Sequence, residues 1–307
     1  MHLLCVGEAF TDLIFLRMQR IPRAGEELRT GHFAATVGGG AVITAVAASR
    51  IGLRARVMSA LGPDAVARLR AERVSLVNLI RPGERSAVSV AISTVRDRSF
   101  VTFDGVNDRL EGRLWRRLRD IRAPFVHFAF APRDCARWAA VVRRLQQNGS
   151  VTSWDFGWHQ NLASRRGFHA LAAAVDYLFL NQQEAMMYAG TRTLAHAVEA
   201  WRTRTRPTII KLGAAGSRWI GPNLDLHVTG RRRAAVDTTG AGDAFNGGFL
   251  AGLARGLAPR DCLRLGNAVG AAVTQKPGGL DGLPAAKSVS PKRRHRGLAS
   301  PKRSEGG

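Results

Sequence analysis

The feature that most narrows the fold is a repeated change of hydrophobic period along the chain. Short apolar runs of strand length recur at residues 3–7, 56–60, 125–129, 151–155, 177–181 and 208–212. Between several of them lie amphipathic stretches of helical period, such as 41–51, closed by Gly52, and 133–147, closed near Gly149. Repetition of strand and helix predicts an α/β fold, a central and mostly parallel sheet with helices on both faces. The 307 residues suffice for one such domain with a small appendage.

Two regions break this rhythm. Residues 86–94 (SAVSVAIST) alternate with period two, turn at 95–98 and resume at 99–103 (SFVTF), which reads as an antiparallel hairpin. A second extended region, 13–37, carries turn signals at Pro22 and Gly25. Together these two stretches predict a small β-lid over one end of the sheet. Residues 241–274 are helical again, with a break expected at 257–259. Past Leu283 the text turns to Ser, Pro, Lys, Arg and Gly, so residues 1–284 are expected to fold as one domain and 285–307 to form a disordered basic tail.

Charge is the compositional anomaly. The formal net charge is +23, and 41 of the 46 basic residues are Arg. Such a field attracts polyanions. The arginines of the body show no aromatic-interleaved nucleic-acid motif, so a solvated arginine-rich surface is the plainer reading, and nucleic acid stays an alternative partner through the tail. A hydrophobic share of 45% excludes a wholly disordered chain. With no run of about 18 apolar residues, no membrane span is expected. The opening MHLLCVGEAF lacks a basic region and meets Glu8 early, which points to a cytoplasmic protein. Cys5, Cys135 and Cys262 are odd in number and far apart, as suits reduced core thiols. His127, His159 and His169 lack metal-ligand spacing.

The sharpest chemical feature is Val-Asp-Thr-Thr-Gly-Ala-Gly-Asp-Ala-Phe at 236–245. Small residues at 240–242 open a helix, where consecutive backbone N–H groups converge on an anion with the helix dipole behind them. Asp243 falls in the first turn, placed to accept a hydroxyl proton while those groups stabilise charge on a transferred phosphoryl group. The dipole is expected to keep Asp243 ionised and only weakly basic. Gly-Ala-Gly before an acidic first turn is also ordinary helix capping. The full ten-residue pattern, late in an alternating chain, favours the chemical reading.

At this point the chain resembles the ribokinase-like (PfkB) carbohydrate kinases. The resemblance covers roughly residues 3–284. The stretch 236–249 (VDTTGAGDAFNGGF) matches the C-terminal signature of that family without a gap, and 38–52 (GGGAVITAVAASRIG) resembles the N-terminal one. The opening 6–12, the lid pattern at 89–105 and Asn181-Gln182-Gln183-Glu184 also fall in the family's order. The resemblance implies an ATP-dependent phosphotransferase with Asp243 as catalytic base and Gly240, Ala241 and Gly242 as anion hole. It places Asp12, Gly38, Gly39 and Gly40 on the sugar. It places Asn181, Lys211, Gly213, Gly216 and Asn267 on ATP, with Glu184 organising Mg²⁺ through water. Asp237 and Thr239, with backbone near Val273 and Gly278, resemble a monovalent-cation site, implying K⁺. Each of these positions also has a plain structural use: a strand end at Asp12, a turn at 38–40, helix capping at Glu184.

Departures concentrate on the acceptor side. Where the family carries a sugar-contacting Asn, this chain has Ile43, which cannot serve a hydroxyl. The family motif Asp-x-Asn-x-Arg reads Asp155-Phe156-Gly157-Trp158-His159, so only the Asp remains and Trp158 offers an apolar surface. The helix expected over 62–74 is about four residues short of the family's usual one. The acceptor is therefore a sugar or sugar-like alcohol met by an altered pocket. A nucleoside kinase, or a catalytically weak polyanion-binding descendant, are the alternatives. An exposed lid edge suggests a homodimer through the lid.

Overall fold

The structure is a computed structural model and describes residues 2–94, 98–230 and 234–285. In chain order the strands are β1 (His2–Gly7), β2 (Phe10–Met18), β3 (Phe33–Gly38), β4 (Arg54–Ser59), β5 (Ser75–Asn78), β6 (Ala87–Thr94) and β7 (Arg98–Phe103). They continue as β8 (Phe125–Ala129), β9 (Val151–Asp155), β10 (Tyr177–Asn181), β11 (Thr208–Lys211), β12 (Ser217–Gly221) and β13 (Leu224–Val228). The helices are α1 (Gly40–Arg50), α2 (Pro63–Ala71), α3 (Leu110–Arg117), α4 (Cys135–Gln147) and α5 (Phe168–Ala174). They are followed by α6 (Gln182–Tyr188), α7 (Leu194–Arg202), α8 (Ala241–Ala254) and α9 (Pro259–Val273).

Nine strands form the central sheet in the order β13-β12-β11-β10-β9-β8-β1-β4-β5. From β5 to β11 every pairing is parallel, and only β12 near one edge is reversed, pairing antiparallel with both β11 and β13. Both faces are covered, which explains why β8 is buried at every position and is apolar apart from His127. One core layer lies between the sheet and α1, α2, α8 and α9, with Phe179, Phe245 and Phe249 at its centre. The other lies under α3 to α7 around Phe128, Trp138 and Trp154. Phe128 and Trp154 stack with ring centroids 4.4 Å apart.

A separate four-stranded sheet, β3-β2-β6-β7, forms the lid. It consists of two antiparallel hairpins joined side by side through the parallel pair β2 and β6. The second lid region begins earlier than its turn residues predict: β2 starts at Phe10, so Asp12 lies inside a lid strand and not at the end of a core strand. The reason is tertiary, since β2 is held on both sides by partners distant in sequence. Strands β5, β12 and β13 carry no strong period in the sequence and are found only through pairing. Residues 95–97 of the expected turn and 286–307 of the expected tail lie outside the described residues. Among the described residues no helix is long and apolar enough to cross a membrane.

Glycines let α8 wedge tightly between α1 and α9. A Cβ on Gly247 would lie 2.6 Å from Thr44 O, and one on Gly248 would lie 2.9 Å from Leu265 O. The Thr44 hydroxyl also donates to Asp243 O at 3.1 Å. This contact brings the N-termini of α1 and α8 to one point above the sheet.

Candidate active site

Gly7, Ala129, Asp155, Asn181 and Lys211 are the last residues of five strands of the parallel sheet. A crevice beyond the carboxyl ends of parallel strands is where such sheets hold ligands. The positive ends of α1 and α8 enter the same crevice.

One side of the crevice is made of backbone. Gly240 caps α8 at φ 70°, the left-handed region, and a Cβ there would lie 2.8 Å from both Gly279 Cα and Ile43 Cδ1. The Ala241 N–H donates to Thr238 O at 3.2 Å. The amides that the first turn itself leaves open therefore belong to Gly242 and Asp243, one position further along than the 240–242 segment suggests. Lys211 Nζ would lie 3.0 Å from a Cβ on Gly242, so a cation stands beside these amides. A cavity of about 250 Å³ continues from Lys211 and Gly242 past Gly213 and Gly216 to Asn267 and Ala271. Asn267 is fixed by donating to Val228 O at 3.1 Å.

Lys211 is not a loose cation. Its Nζ lies 2.5 Å from Asp155 Oδ2, and the Asn246 amide of α8 donates to the same oxygen at 2.7 Å. Despite the cost of burial, Lys211 and Asn246 hold Asp155 below the usual carboxylate range. Likewise Lys211 stays charged despite burial because Asp155, Glu184 and Asp243 face it. Asp155 and Asn246 join the candidate site without a role expected of either: Asp155 is the surviving Asp of the 155–159 motif, and Asn246 lies within the 236–249 stretch.

Asp243 departs from the sequence expectation. Burial, with the Asp155 charge added and Lys211 opposing, pushes its carboxyl up to about 7. The dipole alone does not hold it ionised, because desolvation at the floor of the crevice is the larger effect. Asn181 and Glu184 make a reciprocal capping box on α6: the Glu184 N–H donates to Asn181 Oδ1 at 2.8 Å, and the Asn181 N–H donates to Glu184 Oε2 at 2.7 Å. Glu184 is buried and pushed up to about 7 by that burial and by Asp155.

The other side of the crevice is made of side chains on scattered elements. Gly38, Gly39 and Gly40 join β3 to α1. A Cβ on Gly38 would overlap the Asp12 carboxylate, while one on Gly40 would lie 2.9 Å from Asp243 Oδ1. Gly39 adopts φ 101° and packs on the Glu8 carbonyl, so only glycine turns the chain here. Burial and the Asp237 charge push Asp12 up to about 7. Glu8, a second acid that no sequence motif singles out, reaches about 7 through burial and Asp104, with Arg133 opposing. Ile43 points away from acceptor chemistry: it is buried with Cδ1 under Gly240 and Gly279. Trp158 is 56% exposed on the loop after β9.

Asp237 acts as a clasp. Its Oδ1 accepts from the Thr239 N–H at 2.9 Å and hydroxyl at 2.7 Å, and its Oδ2 accepts from the Gly278 N–H at 2.8 Å. The three histidines stay apart. His127 is buried with Nδ1 2.9 Å from Ser153 Oγ, and His159 contacts Arg165. Among the described residues no group of His, Cys, Asp and Glu has the arrangement of a metal centre. The three cysteines are free and buried.

A profile of the pfkB family of carbohydrate kinases matches residues 1–286. The uncharacterized sugar kinase YegV of Escherichia coli is 27% identical over 285 residues, which span 89% of this chain and 88% of that protein. A nucleoside kinase of Methanothermobacter thermautotrophicus is 24% identical over 300 residues, 92% of each chain. The structure of Arabidopsis thaliana ribokinase complexed with ribose and ATP superposes with a TM-score of 0.74 at 22% identity, over 93% of this chain and 96% of that one. That likeness shows a shared ribokinase fold.

Proposed function

The chain belongs to the pfkB family of carbohydrate kinases, and from that premise we propose that it transfers the γ-phosphoryl group of ATP to a hydroxymethyl group of a sugar or sugar-like alcohol. The observation that carries this reading is the position of Asp243, which touches the Gly40 turn on one side and on the other shares its helical turn with Gly242, beside which Lys211 of β11 stands. The acceptor hydroxyl gives its proton to Asp243 as its oxygen bonds to the γ-phosphorus. The bond from that phosphorus to the bridging oxygen of ADP breaks, and the Gly242 and Asp243 amides with Lys211 receive the charge. Gly213, Gly216 and Asn267 fit the nucleoside half of ATP along the 250 Å³ cavity. Asp12 and the 38–40 turn hold acceptor hydroxyls, and closure of the lid excludes water.

The residues also fit Mg²⁺ held through water. Glu184, with Asp155 and Asp243 near it, is a buried acid in carboxylate company that a divalent cation would relieve. When bound, the ion neutralises phosphate charge. A monovalent cation near Asp237 and Thr239 would join a carboxylate that already accepts three hydrogen bonds. K⁺ is accordingly expected to tune the rate, and its exchange for Na⁺ reads that effect.

Release of ADP from Mg·ATP across pentoses, hexoses, sugar acids and nucleosides, with Asp243→Asn as control, tests the reading. An acceptor-dependent signal lost in the control supports it, and silence across the panel overturns it. A nucleoside acceptor is the second reading, favoured by the exposed Trp158 as a stacking surface. Adenosine or inosine turned over in preference to ribose and fructose would select it. Deletion of residues 285–307 tests the polyanion-binding alternative: unchanged retention on heparin removes the tail from it.

A second copy of the chain is the proposed partner of the lid. On the face opposite Asp12, strand register aligns Phe15 with Phe33 and Leu13 with Val90 and Val101. Phe33 is 54%, Val101 69% and Phe103 52% exposed there, an apolar face that a matching face would cover. A monomer by light scattering at micromolar concentration would refute the dimer.

A further inference from the structure

The chain carries a formal net charge of +23, yet the crevice between lid and sheet is walled by carboxyls. Asp12 and Asp243 lodge against opposite ends of one short turn, at Gly38 and Gly40. With consecutive Cα atoms about 3.8 Å apart, these two acids border one acceptor-sized space. The Asp237 charge acts on Asp12, and the Asp104 charge acts on Glu8, so further acids stand behind the first pair.

Basic groups nearby are already matched. Lys211 is bound to Asp155 at 2.5 Å, and Arg133 pairs with Asp108 at 2.8 Å. Arg85 and Arg109 line a cavity at the end of β7, where Glu84, Asp104 and Asp108 outnumber them. Among the described residues no arginine pairs with Asp12 or Asp243 and no arginine charge acts on either carboxyl, so neither acid has beside it the guanidinium fork that usually recognises phosphate or carboxylate. The polar groups that the register sets nearest Asp12 on its face of the lid are hydroxyls, with Arg98 further along β7 opposite Ser93. Register sets Thr36 and Ser89 on either side of Asp12, with Thr102 beyond Ser89. Thr36 Oγ1 is buried and, among the described residues, unpartnered.

We infer that the acceptor is an uncharged polyhydroxylated compound, and that this pocket rejects sugar phosphates and sugar acids by charge rather than by size. The inference rests on the crevice being the acceptor site of a kinase. A further anion would enter a poorly solvated space among like charges, where each charge is costly. The pocket already resists its own ionisation, since Glu8, Asp12 and Asp243 are each pushed up to about 7. Hydroxyls, by contrast, can donate to Asp12 and to the Thr36 oxygen without adding charge.

Matched pairs of acceptors test this with the full-length protein. Methyl β-D-riboside is compared with ribose 1-phosphate, and glucose with gluconate, by kcat/KM for ADP release. The same pairs are titrated by calorimetry in the presence of Mg·ADP, so the comparison does not depend on turnover. The expected result is a preference of at least about tenfold for the neutral member of each pair, the methyl group controlling for bulk. Glu8→Gln is expected to narrow that ratio. Equal or better use of the charged members would overturn the inference while leaving the kinase reading intact. Binding of neutral members without turnover would support the inference and count against the kinase reading. Absence of any acceptor binding would overturn both.

Discussion

The two halves of the crevice are built on different principles. The half proposed for the nucleotide is mainly backbone: a left-handed Gly240, the open amides of one helix, glycine turns and a single lysine held by Asp155. The half proposed for the acceptor is mainly side chains, with Asp12 from a lid strand, Asp243 from α8 and Glu8 from the loop after β1. Backbone recognition of phosphate is the same for any acceptor, so it can be written once in a contiguous stretch. Acceptor recognition depends on the spacing of groups from separate elements, and there this chain departs from its family at Ile43 and at 156–159. On the proposed reading, the chain combines a common phosphoryl-transfer half with an acceptor half of its own.

The largest expected effect lies where the halves meet. Asp243→Asn should lower kcat by about 10³-fold by removing the proton acceptor, with ATP affinity by calorimetry nearly unchanged. Equal loss of ATP affinity would show that the halves are not separable at this residue. Next, Asp155→Asn should lower kcat by roughly 10²-fold through misplacement of Lys211, with a smaller effect on acceptor KM. It should also move a pH limb. In the parent protein, kcat/KM should fall as pH drops below about 7, because Asp243 must be ionised to take the proton. Removing the Asp155 charge, and leaving Lys211 without its partner, both favour ionised Asp243. The acidic limb should therefore shift to lower pH, and a fixed limb would deny Asp155 an electrostatic role.

Gly38→Ala addresses the acceptor half alone. Its Cβ would displace the Asp12 carboxylate, so acceptor KM should rise by about tenfold while ATP binding is kept. Ile43→Asn should have the smallest catalytic effect. The new amide would be buried under Gly240 and Gly279, where it costs about 1–3 kcal/mol of stability and reaches no acceptor hydroxyl. A lowered Tm with unchanged acceptor preference is expected. A new preference would mean that position 43 reads the acceptor after all.

Much of this architecture is legible in the amino-acid sequence alone. Strands β8, β9 and β10 coincide with the strand-length runs at the same residues, because a strand buried on both faces is mainly apolar, with polar residues such as His127 and Ser153 paired to each other. The break between α8 and α9 is written in Pro259, which opens the second helix. The ten-residue motif at 236–245 reads as an anion site since its parts are contiguous. Other elements leave no local trace. Strand β5 is only four residues long, and β12 and β13 are ordered by their neighbours. Asn246 reads as one polar residue in a helix until α8 places it on Asp155.

The chain by itself therefore determined an alternating α/β core, a hairpin and a second extended region set apart from it, and a glycine turn opening a helix with an acid in its first turn. Each depends on local period, glycine placement or helix geometry, which neighbouring residues decide among themselves. Only the tertiary structure decided that Asp12 belongs to the lid, that Lys211 is bound to Asp155, and that Asp243 is pushed up to about 7. It also decided that a chain of net charge +23 gathers Asp12 and Asp243 against one short glycine turn. Burial and Coulomb interactions depend on which distant residues become neighbours, and net charge is a sum that says nothing about where each charge lies.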